Sequence, residues 1–199
     1  MLKLKIMKFF KILPIILFIF TEMNAQKITY YTNNNEEFAD VYIEDDLIFT
    51  CRVAGLKNDG PTVILLHGFP ETSRMWKSLL KLLSDKNYRV IAPDQRGYSK
   101  GARPLKVKEY ASFKLSNDVI NIADAFKIKK FHLVGHDWGA AVGWHVSAVH
   151  ANRISSYSAL SVPHLDAFGD AIANNKVQRK KSYYIKLFQL KFIPEIYFK

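Results

Sequence analysis

The chain has 199 residues, of which 49% are hydrophobic and 14% aromatic, and its formal net charge at pH 7 is +11. This length and composition fit one α/β domain with a sizeable core, and they exclude two unrelated domains and a disordered chain. The single cysteine, Cys51, excludes an intramolecular disulfide and a cysteine-based metal cluster. The positive charge is concentrated near the two ends without the aromatic interleaving of a nucleic-acid reader, so we predict no nucleic-acid partner.

The first 25 residues have the pattern of a secretory signal peptide. Four lysines precede the apolar run 12–20, and a polar stretch ends at Ala25. The run is shorter than the roughly 20 apolar residues that a bilayer span requires, and Pro14 interrupts it. We therefore predict a signal peptide over 1–25 and an exported protein, periplasmic or extracellular. Met23 is larger than the small residue that usually stands two positions before the last residue of a signal peptide. An uncleaved N-terminal segment is therefore the alternative, and it would be the only predicted contact with a membrane.

The first half of the remaining chain contains strand patterns. After a polar entry rich in asparagine, β-formers alternate over 39–43 and 47–53. This alternation predicts a hairpin across Asp45 and Asp46. Thr62–Leu66 is a short continuous apolar run, which predicts a strand buried on both faces.

The next elements alternate between helix and strand patterns. Helical periodicity is present over 76–83, 115–126 and 140–149, and strand patterns cover 88–92, 131–134 and 154–162. Such alternation predicts an α/β fold with a mostly parallel sheet, helices on both sides and right-handed crossovers. From Pro163 onward the sequence becomes helical, basic and aromatic, which indicates the start of a second layer.

The sharpest motif lies between a predicted strand and a predicted helix, and it reads Gly135-His136-Asp137-Trp138-Gly139. This is the pattern of a nucleophile elbow, in which small residues flank a side chain on a very tight turn. The partial positive charge at the helix N-terminus favours an ionised Asp137 and stabilises an oxyanion. The alternative is that Asp137 is an ordinary helix cap between two turn glycines.

A second motif, His67-Gly68-Phe69-Pro70, follows the buried strand. In such a fold this turn supplies an oxyanion-hole amide, so the backbone N–H groups of Phe69 and Trp138 are predicted to converge on one oxygen. Pro70 restricts the turn and suggests a cis bond. We predict that His67 and His136 shape the two turns rather than transfer protons. None of the histidines has metal-ligand spacing, so we predict neither a metal nor a cofactor.

Together these motifs resemble the epoxide-hydrolase branch of the α/β-hydrolases over about residues 47 to 190. The resemblance also includes Asp94-Gln95-Arg96-Gly97-Tyr98-Ser99, Arg103-Pro104 and Ser161-Val162-Pro163-His164. It implies an α/β-hydrolase fold, incomplete at the C-terminus, with the N-terminal part of the core over 26–162 and the start of a helical cap over 163–199.

The identity of the nucleophile narrows the chemistry. Attack by serine on an sp³ carbon leaves a stable ether, whereas attack by a carboxylate leaves an ester that water can hydrolyse. Asp137 therefore favours epoxide opening or halide displacement. The resemblance implies a small hydrophobic epoxide as substrate and a cap tyrosine as proton donor, best matched by Tyr184, with Tyr183 as a near miss. A haloalkane dehalogenase is the alternative, although many dehalogenases have asparagine in place of Phe69.

The fold also requires an acid and a base histidine after the nucleophile, in that chain order. Both are expected beyond the cap, and the sequence ends inside it. We therefore expect the 199 residues to be inactive or incomplete by themselves. The alternative is a non-catalytic, truncated remnant.

Overall fold

The computed structural model describes residues 27–43, 47–190 and 196. Their strands are β1 Ile28–Asn33, β2 Glu36–Ile43, β3 Leu47–Ala54, β4 Thr62–Leu66, β5 Arg89–Pro93, β6 Phe131–His136 and β7 Ile154–Leu160. Their α-helices are α1 Lys77–Asp85, α2 Ser112–Ala125, α3 Trp138–Val149, α4 Leu165–Asn174, α5 Lys176–Lys181 and α6 Tyr183–Phe188. The predicted alternation of strands and helices from residue 62 to 160 is therefore confirmed.

The strands form one sheet in the order β1-β2-β3-β5-β4-β6-β7. Pairing is antiparallel from β1 to β5 and parallel from β5 through β4 and β6 to β7. The strands that precede the two motifs, β4 and β6, are neighbours in the parallel half. Because parallel strands end at the same edge of a sheet, the two motifs lie side by side.

The start of the sheet differs from the prediction. The hairpin of β2 and β3 is confirmed by its antiparallel register, although residues 44–46 of its turn lie outside the described part of the chain. The strand β1 was not predicted; it ends at Asn33 and pairs with β2 across a tight turn formed by the next two asparagines. Asn34 and Asn35 have φ of +50° and +60° there, and asparagine tolerates this conformation better than most residues.

Helices cover both faces of the sheet, as predicted, and β4 contributes alternate side chains to the two layers. Val63 and Leu65 pack with Leu80 of α1. Ile64 and Leu66 belong to the larger core on the other face, which includes residues of α2 and α3. This burial on both faces explains why β4 is uniformly apolar.

The chain after β7 is helical, in agreement with the sequence pattern, and consists of α4 to α6 in the described range. The domain boundary at residue 163 stays a prediction. No helix of the described residues is long and apolar enough to cross a membrane. The predicted signal peptide, 1–25, lies outside the residues that the structure describes.

Candidate active site

The candidate active site lies at the carboxyl edge of the parallel strands. Leu66, the last residue of β4, is paired in register with Gly135 of β6. The turn that begins at His67 therefore lies beside the turn that contains Asp137. A third turn follows β5, the other neighbour of β4, and begins at Asp94.

Asp137 has the backbone of a nucleophile elbow. Its φ is +52° and its ψ is −120°, a conformation that is unfavourable for a residue with a side chain. The Asp137 carbonyl accepts hydrogen bonds from the amides of Ala140 and Ala141, and the Asp137 amide donates to the carbonyl of Leu160 at 3.2 Å. These bonds to α3 and the end of β7 hold the strained turn in place.

Three glycines leave the space that the turn requires. A Cβ on Gly135 would lie 2.4 Å from the carbonyl oxygen of Gly139, and a Cβ on Gly139 would lie 2.3 Å from that of Leu66. A Cβ on Gly68 would meet the Asp137 Cβ at 2.4 Å. The two turns are therefore in direct contact, and each glycine of the motifs lies where a side chain would clash.

The Asp137 side chain points across to the other motif. Although Asp137 occupies the N-cap position of α3, its side chain makes no capping hydrogen bond. Its Oδ1 instead accepts a hydrogen bond from the backbone N–H of Phe69 at 2.9 Å. This arrangement disagrees with the interpretation of Asp137 as an ordinary helix cap.

The second expected donor, the backbone N–H of Trp138, lies at the start of the helix. Trp138 is the first residue of α3, and bonding to the Asp137 carbonyl begins with Ala140. The first N–H groups of a helix have no partner within it, so they are suited to binding a negative oxygen. Convergence of the Trp138 and Phe69 amides on one oxygen stays a prediction.

The supporting residues of the first turn are fixed by local contacts. The peptide bond between Phe69 and Pro70 is cis, as the sequence suggested. His67 is fully buried, its Nε2 accepts from the Gln95 amide at 3.0 Å, and its Nδ1 lies 3.0 Å from the Gly68 carbonyl oxygen. Burial lowers the pKa of His67, an effect that the Gly68 hydrogen bond and nearby carboxylates partly oppose. These contacts support a shaping role.

His136, the other histidine of the motifs, is the last residue of β6 and is half-buried. Its Nδ1 is buried without a hydrogen-bond partner among the described residues. No histidine in the described part of the chain hydrogen-bonds to the Asp137 carboxylate. His136 lies directly before Asp137 in the elbow, and its role in shaping this turn stays a prediction.

A chain of aromatic contacts connects Tyr184 with the first turn. The ring of Tyr184 lies 5.6 Å from that of Phe188, and the ring of Phe188 lies 6.0 Å from that of Phe69. Tyr184 is about half exposed. These contacts bring α6 against the turn whose amide binds Asp137. The role of Tyr184 as the cap tyrosine stays a prediction.

The turn after β5 contributes residues to which the sequence assigned no role. Arg96 forms a buried, bidentate ion pair with Asp118 of α2 at 2.6 and 2.7 Å, which anchors the turn and raises the pKa of Arg96. The ring of Tyr98 packs edge-on against His67 at 4.6 Å. Burial, and then the charge of Asp137, raise the pKa of Tyr98. A prediction that β5 lies next to β4 in the sheet would have placed Arg96 and Tyr98 beside the candidate site.

Metal ligands are not clustered in the described residues, where no group of three or more histidine, cysteine, aspartate or glutamate side chains could hold an ion. The arrangement consists of a carboxylate, backbone amides and an aromatic surface. Such a site is suited to nucleophilic attack followed by stabilisation of an oxyanion.

Comparisons with known proteins agree with this geometry. The family model for the α/β hydrolase fold matches residues 61–199. Epoxide hydrolase 2 of Caenorhabditis elegans is 35% identical over 181 residues, covering 84% of this chain and 51% of the relative. A solved structure titled as novel epoxide hydrolases from metagenomes of hot environments is 32% identical with a TM-score of 0.66, covering 83% of this chain and 52% of that one.

A third relative, epoxide hydrolase A of Mycobacterium tuberculosis, is 43% identical over 105 residues, or 53% of this chain and 33% of the relative. The chain thus spans a third to about half of the length of these curated relatives. Because the family model matches most of its length, the chain belongs to the α/β-hydrolase fold family.

The glycines of the site give a stability prediction. We expect Gly139→Ala to lower the free energy of unfolding by about 2 kcal/mol or more, because the added Cβ would lie 2.3 Å from a backbone oxygen. Gly169 is the matched control, since it lies inside α4 and an added Cβ there would have nothing within 4 Å, so Gly169→Ala should raise stability by roughly 0.5–1 kcal/mol. Urea unfolding of both variants of the full-length protein tests this, and equal effects would contradict it.

The buried His67 gives a pH prediction. Because burial lowers its folded-state pKa, the unfolded chain binds a proton that the native state does not, so its stabilising contribution is present above about pH 6.5 and lost as the pH falls through the folded-state pKa. His67→Gln retains an acceptor for the Gln95 amide but does not titrate. Urea unfolding from pH 7.5 to 5 should show a shallower loss of stability for this variant, by up to about 1.4 kcal/mol per pH unit. Parallel slopes would refute the prediction.

Proposed function

We propose that the protein is an epoxide hydrolase that converts small hydrophobic epoxides to diols through an ester on Asp137. The observation that carries the proposal is the Asp137 side chain, which lies on a strained elbow, does not cap α3 and accepts the N–H of Phe69. A carboxylate in this position suits attack on an sp³ carbon. The names of the relatives support the same substrate class.

The first half-reaction forms the ester. An oxygen of the Asp137 carboxylate attacks one epoxide carbon, the carbon–oxygen bond of the ring breaks, and the ring oxygen leaves as an alkoxide. Tyr184 donates the proton that neutralises this alkoxide. The aromatic contacts from Tyr184 through Phe188 to Phe69 support a position above the nucleophile.

The second half-reaction hydrolyses the ester. Water attacks the carboxyl carbon of Asp137, and the resulting tetrahedral oxyanion accepts hydrogen bonds from the amides of Phe69 and Trp138. The carbon–oxygen bond of the ester then breaks, and the departing alkoxide takes up the proton that the attacking water gave to a general base, which releases the diol. Activation of the water requires a general base, and no histidine of the described residues contacts Asp137. We therefore propose that residues 1–199 alone form the ester but hydrolyse it very slowly.

We also propose export to the periplasm or the extracellular space. The support is the sequence of residues 1–25 alone, with its lysines, its short apolar run and a candidate cleavage site after Ala25. The N-terminal residue of the exported protein, read by mass spectrometry, distinguishes a cleaved signal peptide from an uncleaved anchor.

The role of Asp137 is tested by isotope labelling. A single turnover of styrene oxide by the full-length protein in H₂¹⁸O should place ¹⁸O in the Asp137 carboxylate and leave the first diol unlabelled, because water attacks the ester and not the epoxide. Asp137→Ala should lower turnover at least about a thousandfold. Peptide and product mass spectrometry provide the readout.

Asp166→Ala is the control for this experiment, since the Asp166 carboxylate is 95% exposed on α4, and its activity should match that of the parent protein. Label that appears directly in the first diol would reject the ester mechanism. Absence of turnover with epoxides, haloalkanes and esters would favour a non-catalytic protein.

The two neighbouring tyrosines provide a matched pair for the proton donor. Tyr184→Phe should lower kcat/KM by about ten- to a hundredfold with the ester still formed slowly, because the alkoxide loses a proton source. Tyr183→Phe should stay within about twofold of the parent, since Tyr183 has similar exposure but lies outside the aromatic contacts with Phe188. Steady-state kinetics with styrene oxide measure both, and a larger loss for Tyr183→Phe would reverse the assignment.

A further inference from the structure

Gln95 holds the residue before the oxyanion turn with two hydrogen bonds. Its backbone N–H donates to Nε2 of His67 at 3.0 Å, and its side-chain Nε2 donates to the carbonyl oxygen of the same residue. Gln95 follows β5 and His67 follows β4, so this contact joins two neighbouring turns at the edge of the sheet. One residue thus fixes both the ring and the main chain of His67.

The first of these bonds determines where the His67 proton lies. Because Nε2 accepts a hydrogen bond, the proton of the neutral ring is on Nδ1, which donates to the Gly68 carbonyl oxygen at 3.0 Å. The ring is fully buried and packs edge-on against Tyr98. Its position and its tautomer are therefore both fixed by the turn after β5.

The carbonyl that His67 binds belongs to the same peptide unit as the oxyanion-hole amide. The carbonyl of Gly68 and the N–H of Phe69 share one peptide plane and point in opposite directions. The Gly68 oxygen accepts from His67 and also from the Glu71 amide at 3.0 Å, while the Phe69 N–H points at Oδ1 of Asp137 at 2.9 Å. The His67 ring thus holds one side of the peptide whose other side, the Phe69 N–H, points at Asp137.

We propose that Gln95 is a positioning residue, which acts through His67 and the Gly68–Phe69 peptide to aim the Phe69 N–H at the oxyanion. This inference rests on the proposed function for its kinetic consequence. An oxyanion on the Asp137 carboxyl group forms in ester hydrolysis and not in ester formation. Gln95 therefore serves the second half-reaction.

The kinetic test uses two variants of the full-length protein, Gln95→Leu and the isosteric Gln95→Glu. Neither the apolar leucine nor the ionised glutamate can donate to the His67 carbonyl. Both variants keep the backbone N–H that binds the His67 ring, so they test the side-chain hold on the main chain of His67. We expect kcat to fall about tenfold or more and KM to fall with it, so that kcat/KM stays within about twofold. The ester intermediate should accumulate, visible as a mass increase equal to one substrate. A proportional loss of kcat/KM, or unchanged constants, would overturn the proposal.

Ser99→Ala is the control on the same turn. Ser99 is buried, its Oγ accepts from the Thr50 amide at 2.9 Å and donates to the Asp94 carbonyl at 2.6 Å, and it makes no hydrogen bond to His67. Ser99→Ala removes both hydrogen bonds of the Ser99 hydroxyl and so weakens the same turn without affecting a bond to His67. We expect lower stability with kcat and KM within about twofold of the parent, which separates positioning from general support.

A second readout does not depend on turnover. In ¹H–¹⁵N spectra of the full-length protein, the Phe69 amide proton should move upfield in Asp137→Asn, because it loses a carboxylate acceptor. Both Gln95 variants should move the same resonance in the same direction, and Ser99→Ala should not. An unmoved resonance in the Gln95 variants overturns the proposal, whereas a moved resonance without any epoxide turnover indicates failure of the proposed function alone.

The unsubstituted protein provides a final check that requires no variant to fold. The ¹⁵N chemical shifts of the His67 ring should report protonation at Nδ1 and an unprotonated Nε2 at pH 7.5, as the Gln95 amide dictates. Protonation at Nε2 would overturn the proposal, because the ring could then not bind the Gly68 carbonyl and the Gln95 amide together.

Discussion

The hydrogen bond from the Phe69 amide to the Asp137 carboxylate joins the turn after β4 to the turn after β6. It can form only because the two turns touch, and they touch because Gly68 and Gly139 have no side chains at the contact. The parallel pairing of β4 with β6 brings the turns to the same edge, and the glycines allow the last approach. The order of the strands in the sheet and the two glycines at the contact thus determine the geometry of the site.

The elbow is an unfavourable local conformation held by favourable neighbours. A residue such as Asp137 at φ +52° costs on the order of 1–3 kcal/mol. The cost is offset by hydrogen bonds from α3 and to Leu160 of β7, and by the buried core on which α3 lies. A helix cap without strain would turn the carboxylate back to its own helix, so the strain is what directs the side chain toward Phe69.

Local patterns predicted much of this fold, and contacts between distant segments were the part that could not be predicted. The uniform apolar run of β4 and the glycines around Asp137 indicate burial and a tight turn by themselves. The strand β1 was missed because the run of asparagines at its end suggests a loop, and its pairing with β2 depends on the turn conformation of Asn34 and Asn35. Gln95 lies 28 residues from His67, and only the order of β5 and β4 in the sheet brings the two together. The motif around Gln95 could be found by resemblance, but its role follows from tertiary structure.

The same amide has different partners along the proposed reaction, and the change from the ester to the tetrahedral state favours hydrolysis of the ester. In the resting site the Phe69 N–H binds a charged carboxylate oxygen at 2.9 Å. In the ester, the acceptor is a neutral carbonyl and the bond is weaker, and in the tetrahedral state the acceptor is charged again. Stabilisation therefore increases from the ester to the oxyanion, which is the condition under which binding accelerates a reaction. An amide fixed through the Gly68 peptide plane provides this without reorganisation of the turn, because its direction is determined before the substrate binds.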